Sequence, residues 1–230
     1  MVLLKKIKRI SIFTGAFGSG KTELALNYAV KLQETGKKVT AVDLDLINPY
    51  FRIRSVRKAL EARGINVVSP RGKLAGADVP ALPPAILGVL EDTDNYGVLD
   101  VGGDDIGATA LGRYKNSLAD DSFNLYLVVN TCRLHTRDVP GILLILKRIE
   151  RASRLKVSAL ISNPNLGPET VPEMVLEGHH LVLEAAHQLE LPVAFLGVRR
   201  DLAGGLKIRD VPVFPLDLML KLPWQDSEMV

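Results

Sequence analysis

The chain has little of several features that define whole protein classes. Its 230 residues include a single cysteine, Cys132, which excludes a disulfide framework and a cysteine-based zinc site. Aromatic residues make up only 5%, and no basic stripe is interleaved with them, so nothing indicates a nucleic-acid partner. The 29 basic and 26 acidic residues leave a net charge of +3, which is too small to change that conclusion.

Long apolar segments are also missing. No apolar run approaches the roughly 18 residues that a membrane-spanning helix needs. Residues 1–15 show no apolar segment leading to a small-residue cleavage site, so we expect a cytoplasmic protein rather than an exported one. The content of 47% hydrophobic and 24% charged residues is typical of a globular chain with a sizeable core.

Short apolar runs alternate with longer stretches of helical period along the chain. The predicted strands are 9–14, 38–43, 66–69, 97–101, 123–130, 156–162 and 193–196. The predicted helices are 21–35, 51–63, 82–92, 108–119, 136–154 and 172–190. Strands that are apolar on both faces and alternate with helices predict an α/β fold, a doubly wound, mostly parallel sheet of seven or eight strands with helices on both faces. We predict one nucleotide-binding domain over 1–230, with 211–230 as a C-terminal docking segment.

Residues 15–22 match the motif G-x-x-x-x-G-K-[ST] without exception. A predicted strand precedes the motif and a predicted helix follows it. Glycine-rich backbone can fold around phosphates and aim its N–H groups at them, and the helix N-terminus adds positive potential. The predicted nucleotide-binding residues are therefore Gly15, Ala16, Phe17, Gly18, Ser19, Gly20, Lys21 and Thr22. Among them, Lys21 is expected to reach the β- and γ-phosphates, and the Thr22 hydroxyl is expected to bind Mg²⁺.

Two carboxylates stand at the end of the second predicted strand. Strand alternation puts Asp43 and Asp45 on the same side, at the carboxyl edge where open parallel sheets bind ligands. We predict that Asp45 positions the attacking water or the metal, and that Asp43 supports it as a second catalytic carboxylate. The alternative is a solvated turn with an Asx motif at 48–49.

A further apolar strand ends in Asp100, as a Walker B position requires, so we predict that Asp100 binds Mg²⁺. Residues 100–103 also fit D-x-x-G, a loop whose glycine can meet the γ-phosphate, and Gly103 is therefore a predicted nucleotide contact. A glycine-rich surface turn is the alternative. Asp104 and Asp105 are expected either to support the metal site or to cap the following helix.

With these segments in this order, and an asparagine turn at Asn130, the chain resembles the MinD/ParA/CobQ/CobB-type, SIMIBI-like branch of P-loop NTPases, and within it an ATP-binding subgroup. The resemblance covers roughly residues 8–200. It implies a mostly parallel sheet of seven or eight strands, Mg-dependent nucleotide hydrolysis and often nucleotide-controlled dimers. MinD and ParA proteins have a signature lysine where this chain has Ala16, so the sandwich dimer built on that lysine is not implied, and a homodimer stays an open alternative.

The nucleotide base is predicted from residues 161–166. Guanine specificity usually depends on N-K-x-D, but here Asn163 is followed by Pro164 in place of lysine and Leu166 in place of aspartate. No other N-K-x-D occurs in the chain. We therefore expect ATP rather than GTP, with Asn163 hydrogen-bonded to the adenine edge. The loop at 197–202 is placed to close over the base.

Three functions share these residues. The favoured one is an ATPase that acts as a nucleotide-dependent switch for an unknown protein partner. The second is an ATP-dependent ligase or synthetase, similar to dethiobiotin synthetase and CobB, that activates a small carboxylate held by Arg71 or Lys73 of the proline-rich loop 71–84. The third is a module that binds nucleotide without useful hydrolysis. Arg54 and Lys58, one helical turn apart, are expected on a solvated helix face.

Overall fold

Eight strands form one fully parallel sheet in the computed structural model, which describes residues 7–45, 53–69, 84–103, 105–118 and 122–220. The strands are β1 (Ile10–Thr14), β2 (Lys38–Leu44), β3 (Ile65–Val68), β4 (Asn95–Val101), β5 (Phe123–Val129), β6 (Ala159–Ser162), β7 (Val193–Arg199) and β8 (Val213–Leu216). Their order across the sheet is β3-β2-β4-β1-β5-β6-β7-β8. The predicted fold class is confirmed.

Seven α-helices connect the strands within these described ranges. They are α1 (Lys21–Gln33), α2 (Arg57–Glu61), α3 (Ala85–Glu91), α4 (Asp105–Gly112), α5 (Val139–Ser153), α6 (Pro172–Leu189) and α7 (Arg200–Ala203). Short 3-10 turns lie at Ile53–Val56, Lys115–Ser117, Leu134–Thr136 and Gly167–Glu169. None of the described helices is both long and apolar enough to cross a bilayer.

The core has two halves, one on each face of the sheet. Side chains of α1 and α2 pack on one face around an aromatic cluster of Phe13, Tyr28, Tyr126, Phe195 and Phe214. Helices α3, α4, α5 and α6 contribute the apolar side chains that cover the other face. Because both faces are covered, central strands such as β1 and β6 are buried at every residue, as apolar two-sided strands require.

Helix α5 shows how local sequence fixes an element. The Asp138 carboxylate caps its N-terminus and accepts a hydrogen bond from the Gly141 N–H at 2.8 Å. Pro140 lies in the first turn, where its missing N–H has no intrahelical partner to lose. The helix ends at Arg154, which adopts a left-handed φ of 59° and stops the helical run.

The largest difference from the predicted elements lies near the C-terminus. Residues 213–216, inside the predicted docking segment 211–230, form strand β8 and pair with β7 from Leu196–Val213 to Arg199–Leu216. Prolines at 212 and 215 disfavour a strand inside a sheet, but β8 lies at the edge of the sheet, where proline is tolerated. Residues 217–220 hydrogen-bond to side chains of α1, 221–230 lie outside the described residues, and a docking role for 211–230 stays a prediction.

Candidate functional site

The carboxyl ends of β1, β2 and β4 place the predicted site residues side by side. In the strand register, Asp100 of β4 pairs with Phe13 of β1 on one side and with Asp43 of β2 on the other. The loop that follows β1, residues 15–20, therefore begins at the level of both carboxylates. This edge is also where the chain order reverses across the sheet, which is the position at which open parallel sheets bind ligands.

The loop after β1 has a backbone that glycine alone adopts readily. Gly18 and Gly20 have φ values of 75° and 83°, in the left-handed region. The Ser19 N–H donates to the Ala16 carbonyl at 3.0 Å and closes a tight turn. Helix α1 then begins at Lys21 without a side-chain cap, so its first N–H groups are left to an anion or to water.

Side chains from two neighbouring loops hold the carbonyl groups of this phosphate loop. Gly18 O accepts from Asn130 Nδ2 at 3.0 Å and from Arg133 Nε at 3.1 Å. Ser19 O accepts from Asn163 Nδ2 at 2.7 Å. Because these carbonyl oxygens are bound by side chains, the conformation of the loop is fixed and its N–H groups stay available to an anion, as in an anion-binding nest.

Asn130 joins three loops through one fully buried carboxamide. Its nitrogen donates to Gly18 O and to Asn165 O, at 3.0 and 2.9 Å. Its oxygen accepts from the N–H groups of Cys132 and Asn165, both at 3.0 Å. The sequence indicated a turn at Asn130, but only the structure shows that the turn positions the phosphate loop.

Asn163 contacts this loop from within the protein. A Cβ on Gly20 would overlap the Asn163 amide nitrogen, so this glycine permits a close approach. The Asn163 side chain is buried, and its oxygen lies beside Gly197 of β7. A direct contact between Asn163 and the base stays a prediction, whereas its contact with the phosphate loop is part of the fold.

Lys21 and Asp45 form a buried ion pair. Lys21 Nζ lies 2.9 Å from Asp45 Oδ2, and the two side chains are only 6% and 3% exposed. The pair brings the first residue of α1 to the carboxyl end of β2. Two of the predicted site residues therefore contact each other. Their ammonium and carboxylate groups lie next to the residues that end the phosphate loop.

Asp43 lies next to this pair and has a perturbed acidity. Burial raises the pKa of its carboxyl to about 6, against the opposing effect of Arg54, whose Nε lies 3.5 Å from Asp43 Oδ2. The Asp45 charge adds to the increase. Arg54 thus faces the acidic cluster, while Lys58 is exposed to solvent as expected. Their spacing of four residues did not distinguish these two cations, because it does not reveal that Arg54 lies in a 3-10 turn and Lys58 in α2.

The pKa of Asp100 is raised further than that of Asp43. Asp100 is completely buried, and burial raises the pKa of its carboxyl to about 7 although the Lys21 ammonium opposes the shift. The Thr22 side chain lies close enough to lower that pKa slightly. Neither carboxylate oxygen meets hydrogen-bond geometry with any described residue. A buried carboxylate without hydrogen bonds is a site that a cation or ordered water would stabilise.

These residues fit Mg²⁺ only in combination with phosphate. Among the described residues, no group of three or more His, Cys, Asp or Glu side chains could hold a metal ion by itself. Mg²⁺ in phosphate sites takes one or two protein ligands and completes its octahedron with phosphate oxygens and water. Asp100 and the nearby Thr22 hydroxyl match that smaller donor set, and Asp45 is the next carboxylate.

The loop after β4 packs directly on the phosphate loop. A Cβ on Gly103 would overlap the carbonyl group of Gly15, and one on Gly107 would overlap that of Gly102. Both glycines are therefore required by close backbone approach. The D-x-x-G segment and the first glycine of the phosphate loop thus share a contact that no larger residue permits. Asp105 is the first residue of α4, and Asp104 lies outside the described residues.

Two predicted elements are not brought into the site by the described structure. The Phe17 side chain is 73% exposed at the tip of the phosphate loop, so its predicted contribution to nucleotide binding rests on its backbone. Arg71 and Lys73, the candidate carboxylate ligands of loop 71–84, lie outside the described residues, as do residues 46–52 after Asp45.

Comparison with solved structures identifies the fold. FtsY from Thermotoga maritima superposes with a TM-score of 0.59 at 20% identity, over 84% of this chain and 63% of that chain. FtsY from Elizabethkingia anophelis in complex with GDP gives 0.54 at 19%, over 84% and 58%. FlhF complexed with GMPPNP/Mg²⁺ gives 0.53 at 16%, over 82% and 65%. The fold is that of P-loop NTPases.

At these identities the likeness shows the fold alone. The chain spans about three fifths of the length of these structures. No family model matches the chain, and no curated protein sequence is similar to it. The predicted P-loop fold is confirmed, while membership of the MinD/ParA branch stays a prediction.

Proposed function

We propose that this protein binds Mg·ATP and hydrolyses it slowly, as a switch whose two states a protein partner distinguishes. The observation that carries the proposal is the buried group of Lys21, Asp45 and Asp100 beside a phosphate loop whose Gly18 and Ser19 carbonyls are bound by Asn130 and Asn163. Such a group places an ammonium where it can bind phosphate oxygens and carboxylates where they can bind the accompanying cation.

Each residue has a distinct part in the proposed reaction. The N–H groups of the loop and of the α1 N-terminus bind the phosphates, and Lys21 turns from Asp45 toward their oxygens. Asp45, once released, orients the attacking water. Asp43, which is paired with Arg54, supports Asp45 as the second carboxylate. When bound, Mg²⁺ neutralises charge on the phosphate oxygens, and Thr22 and Asp100 are the residues that would hold it. Phosphoryl transfer needs no covalent protein intermediate here.

The switch follows from the contact between the loops. Gly103 lies against Gly15 with no space for a side chain, so a shift of the phosphate loop displaces the D-x-x-G segment and with it the start of α4. Loops that are ordered by contacts with a γ-phosphate lose that order when the phosphate is hydrolysed and leaves. A protein partner that binds the ordered loops would therefore detect the nucleotide state, and a second copy of this chain is one such partner.

Two observations bear on the base. The absence of N-K-x-D around Asn163 favours ATP, because the aspartate that pairs with guanine is Leu166 here. GTP is the second candidate, since the superposed FtsY and FlhF structures hold GDP and GMPPNP. Titration with both triphosphates separates the candidates, and tighter binding of GTP would overturn the ATP assignment while leaving the phosphate site intact.

The test combines calorimetric titration with phosphate release. Wild-type protein with Mg²⁺ should bind ATP and release phosphate, and Lys21→Ala should abolish one or both. Lys31→Ala is the matched control, because Lys31 lies on the same helix but is exposed and paired with Glu34. Binding of neither ATP nor GTP by the wild type would contradict the proposal. Release that needs an added small carboxylate would instead indicate the ligase, and binding without release the simple nucleotide-binding module.

A further inference from the structure

Arg133 is held against the tip of the phosphate loop. Its Nε donates to Gly18 O at 3.1 Å, the same carbonyl that accepts from Asn130. A Cβ on Gly18 would come within 2.9 Å of Arg133 Nε, so the left-handed glycine leaves the space that the guanidinium occupies. This arginine follows β5 and is far from the motif in sequence, and the motif itself does not reveal it.

The charge of Arg133 has no carboxylate partner in the part of the chain that the structure describes. Arg199 and Arg200, by contrast, are paired with Asp201 and Asp217. Arg133 is half-buried and uses one nitrogen on a backbone carbonyl, which leaves its positive charge uncompensated beside a loop that binds anions. An arginine can bond a carbonyl with one N–H and phosphate oxygens with others, because its five donors form a rigid planar fork.

The phosphate loop has few cations of its own. The residue after its first glycine is Ala16, and its one lysine, Lys21, is paired with Asp45 in this structure, so this single ammonium serves both that carboxylate and the phosphates. Loop N–H groups and the start of α1 offer partial positive charge suited to a diphosphate. A terminal phosphate adds negative charge that a further cation, beside Lys21 and Mg²⁺, would help to balance, and Arg133 is an arginine that the fold fixes against this loop.

We propose that Arg133 is a phosphate-contacting residue that selects triphosphate over diphosphate at the site described above. This inference rests on the proposed nucleotide-binding function. The alternative is a structural role, in which Arg133 only fixes the Gly18 carbonyl. That role would contribute equally to the affinities for triphosphate and diphosphate. Charge at a terminal phosphate instead contributes to triphosphate binding alone.

The deciding experiment measures affinities for AMPPNP and ADP, and for GMPPNP and GDP, with Mg²⁺ present. Arg133→Ala should weaken triphosphate binding by roughly tenfold to hundredfold, the range for a lost charge-assisted hydrogen bond, and leave diphosphate binding unchanged. Arg133→Lys, which keeps the charge but loses the planar fork, should retain most of the selectivity. Arg137→Ala is the control, since Arg137 lies four residues further on, is exposed and faces Asp138.

Two results would overturn the inference alone. Equal weakening of triphosphate and diphosphate binding by Arg133→Ala would leave only the structural role, and unchanged binding of both would leave no role at all. Circular dichroism and thermal melting of each variant establish that it is folded. If the wild type itself binds none of the four nucleotides, the proposed function fails first, and the inference fails with it.

Discussion

Lys21 Nζ lies 2.9 Å from Asp45 Oδ2, in a pair that is almost completely shielded from solvent. A triphosphate offers the same ammonium a second set of anionic oxygens. We propose that nucleotide binding exchanges one partner of Lys21 for the other, so that the Asp45 carboxylate becomes available to water. In this proposal a single side chain connects binding to catalysis.

Replacement of Asp45 tests that connection. In Asp45→Asn the side chain keeps its size but not its charge, so Lys21 is already released and nucleotide affinity should stay the same or increase. Hydrolysis should fall by at least about a hundredfold if the carboxylate orients or deprotonates the water. Calorimetry and single-turnover phosphate release measure the two effects. Asp92→Asn, at an exposed ion pair with Lys38, is the control, and unchanged turnover in Asp45→Asn would refute the assigned role.

Substitution of Gly103 tests the contact between the loops. A methyl group there would overlap the Gly15 carbonyl, so Gly103→Ala must displace either the D-x-x-G loop or the phosphate loop. We expect triphosphate binding to weaken by about tenfold or more, since displacement of the nest misaligns several N–H donors.

Gly88→Ala provides the comparison for Gly103. A Cβ at this exposed position in α3 meets nothing within 4 Å, so this variant should bind normally and gain about 0.5–1 kcal/mol of stability from lower unfolded-state entropy. Normal triphosphate binding by Gly103→Ala would show that the loops do not depend on each other.

The acidic cluster predicts how stability depends on pH. Burial raises the folded-state pKa of Asp43 to about 6 and that of Asp100 to about 7, above their ordinary value of about 3.9 in an unfolded chain. Between these values the folded state binds more protons than the unfolded state, so the free energy of unfolding falls as pH rises from about 4 to about 7. Each pKa unit by which folding raises a carboxyl group lowers the free energy of unfolding at neutral pH by about 1.4 kcal/mol.

Asp100→Asn isolates this contribution, because other carboxylates also titrate. Denaturant unfolding of the nucleotide-free protein, measured from pH 4 to pH 8, should show a shallower decline for Asp100→Asn than for the wild type. Glu34→Gln, which alters a half-exposed carboxylate on the surface, should leave the profile unchanged. Parallel profiles for wild type and Asp100→Asn would mean that the pKa of Asp100 in the folded protein is not raised above its value in the unfolded chain.

The segment after β8 is bound to the phosphate-loop helix. Glu23 of α1 accepts from the N–H groups of Met219 and Leu220, and Asn27 bonds both the N–H and the carbonyl of Asp217. Burial raises the pKa of Glu23 although these N–H groups lower it. The segment therefore depends on two side chains that lie one helical turn apart.

Loss of these contacts should release the segment. Glu23→Ala and Asn27→Ala should each make the chain beyond Leu216 more sensitive to limited proteolysis, with a loss of about 1–3 kcal/mol for the unpaired backbone groups. Mass spectrometry of the products locates the cleavage. Glu34→Ala, at the exposed residue that follows the same helix, should be cleaved like the wild type. Equal resistance in all variants would show that β8 alone holds the segment.

The fold could be predicted from the sequence to within a few residues at most element ends. The apolar runs and the motif at 15–22 were sufficient because parallel strands buried on both faces leave a strong local pattern. Strand β8 was missed because its prolines are permitted only by its edge position, which no local pattern reveals. Helix 108–119 was predicted too far along the chain, since α4 starts at Asp105 and ends at Gly112, whose Cβ would meet the Ser153 carbonyl.

By itself, the sequence determined which chemistry is present: a glycine-rich loop, a lysine, a hydroxyl and three aspartates at strand ends. Only the tertiary structure decided which of them touch. It paired Lys21 with Asp45, set Arg54 beside Asp43, packed Gly103 on Gly15 and brought Asn130, Arg133 and Asn163 against the phosphate loop. These contacts join residues far apart in the chain, and their distances depend on strand order and register, which local residue patterns do not encode.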